Sequence, residues 1–279
     1  MLSIESLVPR DTPVQLRSMD LAFVLPWVLG TAALSAVFGM AGGMVLLLVL
    51  TSRLPLADAM VLHGALQLVS NGSRMLISAR HVRLDIVKRF GLAAVTAALA
   101  CAGLVLLWPA FRSAVIDVRV VLIATGVIAC AEPLLGSTRL RIPQADTKLG
   151  ALTSGALVSA LHLTAGATGP LLDVFFVDSA LDRHANVATK AAVQSIGHTL
   201  KIGYFALLAT LGLAGTQGAV LELSSGPAFV LLALGTVAGT WLGRQALDKL
   251  TDAGFRRGTR VIVCTIGIVS LARGLGFAP

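Results

Sequence analysis

The chain has 279 residues, of which 56% are hydrophobic and only 13% charged, with a mean hydropathy of +0.86. A soluble domain carries about a quarter of its residues as charged side chains; a chain with half that share cannot clothe a globule of this size, so it reads as an all-α polytopic membrane protein. The net charge of +8 does not indicate nucleic acid as a partner: the Lys and Arg residues sit in short loops between apolar segments, as in membrane proteins, with no basic run interleaved with aromatics.

The first 20 residues lack a basic start followed by an apolar run, so they read as a mobile or interfacial extension and not as a signal peptide. The apolar segment 21–50 is interrupted by GMAGG at 39–43. A helix is predicted at about 57–78 and carries HGALQLVSNGSR at 63–74. His63, Gln67, Asn71 and Arg74 fall at i, i+4, i+8 and i+11, a narrow polar stripe on one helical face. A basic loop at 79–90 precedes predicted helices at about 86–111 and 117–136. The loop 137–148 (STRLRIPQADTK) then divides the chain. The apolar segment 149–177 is broken in turn by TAGATGP at 164–170 and carries one acid, Asp173. Helices are predicted at about 184–212, 226–246 and 256–276. The three cysteines, Cys101, Cys130 and Cys264, lie far apart in apolar segments, with no C-x-x-C pair, and read as small core side chains.

The chain resembles itself. Gly43 matches Gly169 at an offset of 126, and Gln67 matches Gln194 at 127 after one extra loop residue. At that offset His63, Asn71 and Arg74 face Lys190, His198 and Lys201, so the second half carries a stripe of the same spacing. The domain reading is therefore a first repeat at 21–136 and a second at 149–276, each a glycine-broken segment followed by three long helices. If both broken segments turn back as re-entrant hairpins, loops 79–90, 137–148, 178–184 and 244–260 share one side and gather most of the Lys and Arg. The positive-inside rule favours that arrangement over eight crossings, and it makes the halves inverted repeats.

Glycines free the backbone from helical geometry. Two short helices are then expected to begin near Gly43 and Gly169 within the membrane, with Pro170 in a first turn where its missing N–H costs nothing. Their free N–H groups and positive dipole ends suit an anion. The candidate binding set is Gly42, Gly43, Gln67, Asn71, Arg74, Thr168, Gly169, Pro170, Lys190, Gln194, His198 and Lys201. Neither stripe contains Asp or Glu, so an anion would supply the counter-charge. Arg74 and Lys201 also read as residues snorkelling to an interface. Asp173 is a candidate partner for Lys190 or Arg74 or a proton carrier, and His63, His162 and His198 can titrate near neutral pH; His63 and Asp173 are the candidates for proton coupling. The chain has no G-x-x-x-x-G-K-[ST], G-x-S-x-G or H-E-x-x-H motif, so ATP, a nucleophile elbow and zinc are not expected. No catalytic residue, metal or cofactor is assigned.

These residues resemble the TauE/SafE sulfite exporter family, also called the toluene sulfonate uptake permease family. The resemblance rests on GMAGG, HGALQLVSNGSR, the basic loop ARHVRLDIVKR, ATGP and ATKAAVQSIGHTLK, and covers most of residues 20–276. The chain departs from the family's denser glycine at Ala41 and at Ala167–Thr168. The resemblance implies a multi-pass secondary transporter of a small sulfur-containing anion, sulfite or an organosulfonate, in the cytoplasmic membrane. Expected partners are that anion, membrane lipid and protons as coupling ion. An intramembrane hydrolase or a non-transporting scaffold are the alternatives. Substrate, direction of transport and oligomeric state stay open at this level.

Overall fold

The computed structural model describes residues 21–38, 41–135, 142–166, 168–176, 179–213, 226–247 and 252–277. The N-terminal extension, residues 137–141 of the mid-chain loop, and Gly39, Met40 and Ala167 of the glycine breaks lie outside them. Among the described residues every regular element is helical: α1 Leu21–Phe38, α2 Ala41–Thr51, α3 Leu56–Ile77, α4 Leu84–Leu107, α5 Pro109–Ile116 and α6 Val118–Leu135. The second half holds α7 Lys148–Ala165, α8 Gly169–Phe176, α9 Arg183–Thr210, α10 Pro227–Leu247 and α11 Asp252–Gly274. A single 3-10 turn, Ala79–His81, joins α3 to α4.

Two helices are long and apolar enough to cross a membrane, Leu84–Leu107 with mean hydropathy 2.3 and Pro227–Ala246 with 1.2. A third span results if the pair Pro109–Val115 and Val118–Ala131, bent by 70°, is one crossing. Helix α4 turns Leu92, Leu99 and Leu107 outward, a contiguous apolar face that water would not tolerate. The predicted helix at 86–111 is in fact two. Helix α4 stops at Trp108, because Pro109 opens α5, where a residue without an N–H is accommodated. Asp117 then caps α6 by accepting from the Arg119 N–H at 2.8 Å.

The packing is reciprocal. Helix α1 lies along α10, and α4 lies along α7; α3 packs on α9, and α6 on α11. Each pairing joins the two halves of the chain. The α1–α10 contact is a small-residue seam: a Cβ on Gly239 would collide with the Leu29 carbonyl oxygen, and one on Gly243 with that of Ala33. Gly155 of α7 meets the Phe90 carbonyl of α4 in the same way. Close backbone approach of this kind packs helices where lipid supplies no hydrophobic drive between them.

Both glycine breaks produce the expected short helices. Helix α7 ends in a left-handed residue, Gly166 at φ 76°, whose N–H bonds to the His162 carbonyl; glycine takes this conformation without a Cβ penalty. Thr168 then offers its carbonyl to the Leu172 N–H and opens α8. The other end of α8 is stitched down. Its last carbonyls, on Val174, Phe175 and Phe176, accept from Gln144, the Ala145 N–H and Asn186. Helix α2 begins at Ala41, two residues before Gly43, and its Leu48 carbonyl is held by Arg273 of α11 at 3.1 Å.

Candidate functional site

A cavity lies where the two broken segments meet the α3–α9 seam. Its walls are Gly43 and Met44 from α2, His63 and Gln67 from α3, and Phe90 from α4. Val158, Ser159 and His162 come from α7, and Thr168, Gly169 and Leu172 from the second break and α8. Helix α9 adds Val193, Gln194, Gly197 and His198. The volume open to the centre of a water molecule is about 40 Å³, several times what a single water needs. No lining residue is acidic.

The stripes meet here. Gln67 and Gln194 both reach the cavity, and neither amide has a hydrogen-bond partner among the described residues. Gly43 gives Gln67 its place, since a Cβ there would press on the amide at 3.2 Å. Ser159 is 2% exposed, and its hydroxyl also lacks a partner. Buried polar groups are almost always satisfied, so the unpartnered Ser159 hydroxyl, with two amides free to turn into the same hollow, marks a place for a polar occupant.

The histidines are linked. His63 donates from Nε2 to the Gly43 carbonyl at 2.8 Å, because that oxygen only accepts. Its Nδ1 therefore accepts from Lys201 Nζ at 2.5 Å, and Lys201 also donates to the Gly166 carbonyl at 3.1 Å. A second chain runs from Thr168 Oγ1 to His162 Nδ1 at 3.4 Å, and from His162 Nε2 to His198 Nδ1 at 3.3 Å. The His162 and His198 rings meet edge-on with centroids 4.7 Å apart, and His63 stands 5.6 Å from His198. The Thr168 hydroxyl donates to the Val158 carbonyl at 3.3 Å, so His162 Nδ1–H donates to Thr168 Oγ1, His162 Nε2 accepts from His198 Nδ1–H, and the neutral His198 ring keeps Nε2 as an acceptor. Among the described residues no group of three or more His, Cys, Asp or Glu is placed to hold a metal ion.

Of the residues singled out from sequence, Gly43, His63, Gln67, Thr168, Gly169, Gln194 and His198 line the cavity. Pro170 is the second residue of α8. The others do different work. Gly42 sits where a Cβ would collide with the Thr31 carbonyl, which makes it a contact between α2 and α1. Arg74 turns back to Asn71 Oδ1 at 2.5 Å and to the Ser70 and Ser35 carbonyls, so neither Asn71 nor Arg74 reaches the cavity. Lys190 is paired with Asp173 at 2.6 Å, tying α9 to α8. Lys201 stands behind His63 and is fully buried. It does not snorkel, because α9 continues to Thr210 and leaves it well inside the helix.

Sequence reasoning passed over Ser159, and named His162 only as one of three histidines able to titrate near neutral pH, outside the binding set. His162 stands four residues before Gly166, and at the offset of 126 that holds up to Gly169 it faces Ala36, so no polar twin marks it. A search for polar residues on the helix before each break finds both Ser35 and His162.

Helix α9, which carries much of the site, starts at Asp182, whose Oδ1 accepts from the His184 and Ala185 N–H groups at 2.8 and 3.0 Å. These bonds hold its carboxyl below the usual carboxylate range. On the same surface the Asp85 carboxylate raises the Arg83 guanidinium above its ordinary value.

No protein-family model, curated protein or solved structure matches the chain.

Proposed function

We propose that this chain is a secondary transporter that moves a small sulfur oxyanion or sulfonate across the cytoplasmic membrane. Its halves act as inverted repeats about the cavity. One observation carries the reading: the Gln67 and Gln194 amides and the buried Ser159 hydroxyl, without hydrogen-bond partners among the described residues, line a hollow with no acidic lining residue and a buried lysine behind it. An oxyanion accepts from all of these groups at once, whereas a cation would find no carboxylate. The starts of α2 and α8 add N–H groups that lack intrahelical acceptors. Non-helical backbone at such depth is found where it lines a cavity.

The reciprocal pairing of α1 with α10 and α4 with α7 supports a two-fold relation between halves, the plan on which many transporters alternate access. The sulfur chemistry rests on the resemblance of GMAGG, HGALQLVSNGSR, ATGP and ATKAAVQSIGHTLK to the TauE/SafE family. A hydrolase reading has less support. Ser159, the serine in the cavity, makes no hydrogen bond to His162 or His198, and Ser70 Oγ faces Thr240 at 3.4 Å.

Flux of radiolabelled sulfite into proteoliposomes tests the proposal. A hydrogen bond to a charged partner contributes about 1.5–3 kcal/mol, so Gln67→Ala with Gln194→Ala is expected to lower kcat/KM at least roughly 100-fold. Wild-type flux in this double variant removes the cavity as the site. No wild-type flux of sulfite or of any sulfonate removes the transporter reading.

A further inference from the structure

Lys201 is the anomaly of the molecule. It is fully buried, and no described carboxylate pairs with it. Asp173, the acid across α9, is already held by Lys190. The titratable groups facing Lys201 are few. Helix α3 brings His63, with Arg74 engaged on Asn71 farther along, and α7 brings His162. Helix α9 itself brings His198 and Tyr204, and α4 brings the Cys101 thiol to the same core as Tyr204. None of these supplies a fixed negative charge. An ammonium ion so placed is costly in a low-dielectric interior unless an anion is near.

The hydrogen bonds show how that cost is avoided. Lys201 has two acceptors, the Gly166 carbonyl and His63 Nδ1. His63 cannot turn its other nitrogen to Lys201, because Nε2–H is spent on Gly43. A neutral amine has two N–H donors, enough for both bonds. The third N–H of the ammonium form has no described protein acceptor. Gaining or losing one proton at Nζ therefore breaks no hydrogen bond and changes only the charge behind the cavity wall.

We propose that Lys201 is the proton-coupling site, taking up one proton as an anion enters the cavity and giving it up as the anion leaves. The step is a proton transfer from a hydronium ion or protonated buffer to the Nζ lone pair, leaving water or the free buffer base, and it is reversed on release. Proton and anion stabilise one another by Coulomb attraction, and by linkage each raises the affinity for the other. The inference rests on the transport reading above and deepens it. Lys201 also donates to the Gly166 carbonyl, so the charge appears beside the turn between α7 and α8.

Calorimetry on the full-length protein in detergent tests it, with methanesulfonate as probe. This anion does not titrate near neutral pH, so any proton taken up comes to the protein. Bis-Tris and Tris serve as buffers because, being cationic, they do not compete for an anion site. The wild type is expected to take up about one proton per anion, with affinity falling about tenfold per pH unit on the alkaline side. Lys201→Arg, permanently charged, is expected to bind with no proton uptake and no pH dependence between pH 6 and 8. Lys201→Gln is expected to bind at least tenfold more weakly, again without uptake. Wild-type binding without proton uptake overturns this inference alone and leaves the transport reading standing, as does undiminished uptake in either variant. If the wild type binds neither methanesulfonate nor sulfite, the transport reading and this inference fall together. Should both variants fail to fold, the wild-type proton count decides.

Discussion

At the scale of single residues, two positions hold the site without touching an occupant. Gly166 combines a left-handed backbone with neighbours, Met60 and Leu47, that leave no room for a Cβ. Gly166→Ala should destabilise by about 1–2 kcal/mol from the backbone alone, read as a lower thermal midpoint, with anion affinity falling because the Gly166 carbonyl moves away from Lys201. Asp182 acts at the start of α9. Its carboxyl is held below the usual range by backbone N–H groups, so its contribution is present above the ordinary value of about 3.9. That contribution is lost only as the pH falls through the lower, folded-state value. Asp182→Ala should lower the thermal midpoint at pH 7, and the gap from wild type should close at lower pH as the carboxyl protonates. A gap unchanged down to pH 3 would show that charge at Asp182 is irrelevant. The residues legible from sequence were those whose signal is local. Gln67, Gln194, His63 and His198 stand out because i, i+4 spacing in an apolar chain is visible without a fold. The pairing of Lys190 with Asp173 was one of the alternatives the sequence offered; the fate of Arg74 was not legible, since spacing alone does not show that Asn71, three residues back on its own helix, takes it in place of an occupant. For Lys201 the alternatives were a snorkelling end or a buried charge. The length of α9 decides between them, and helix ends are the feature sequence patterns place least well.

At the scale of elements, the small-residue seams set what can move. Gly235, Gly239 and Gly243 form one ridge of α10 and meet Leu25, Leu29 and Ala33 of α1 at successive turns. A side chain there must push two backbones apart, and overpacking of this kind costs about 1–3 kcal/mol. Gly239→Val should therefore lower the thermal midpoint more than Gly30→Val, since a Cβ on Gly30 meets nothing within 4 Å. Equal effects would mean that this seam is not under strain. The short helices were foreseen because glycine clusters interrupt long apolar runs. The break at Trp108 was missed although Pro109 announces it, because the apolar run continues unchanged across the proline.

At the scale of the whole molecule, the repeat in sequence is not the unit of packing. Each long seam joins one helix from either half, and the cavity takes walls from both. Two polypeptides, severed within residues 136–141 and co-expressed, should therefore reassemble and be recovered together on an affinity tag carried by one of them. Either half alone should be degraded or aggregate. Recovery of a stable, folded first half by itself would overturn this view of the architecture. The same interlacing has a consequence for biogenesis. Helix α1 ends at Phe38, yet its partner α10 begins only at Pro227, with helices α2 to α9 made between them. Its small-residue face waits unpartnered while those helices are made, so the membrane insertion machinery, or a chaperone at its side, must shelter the first half until the second arrives.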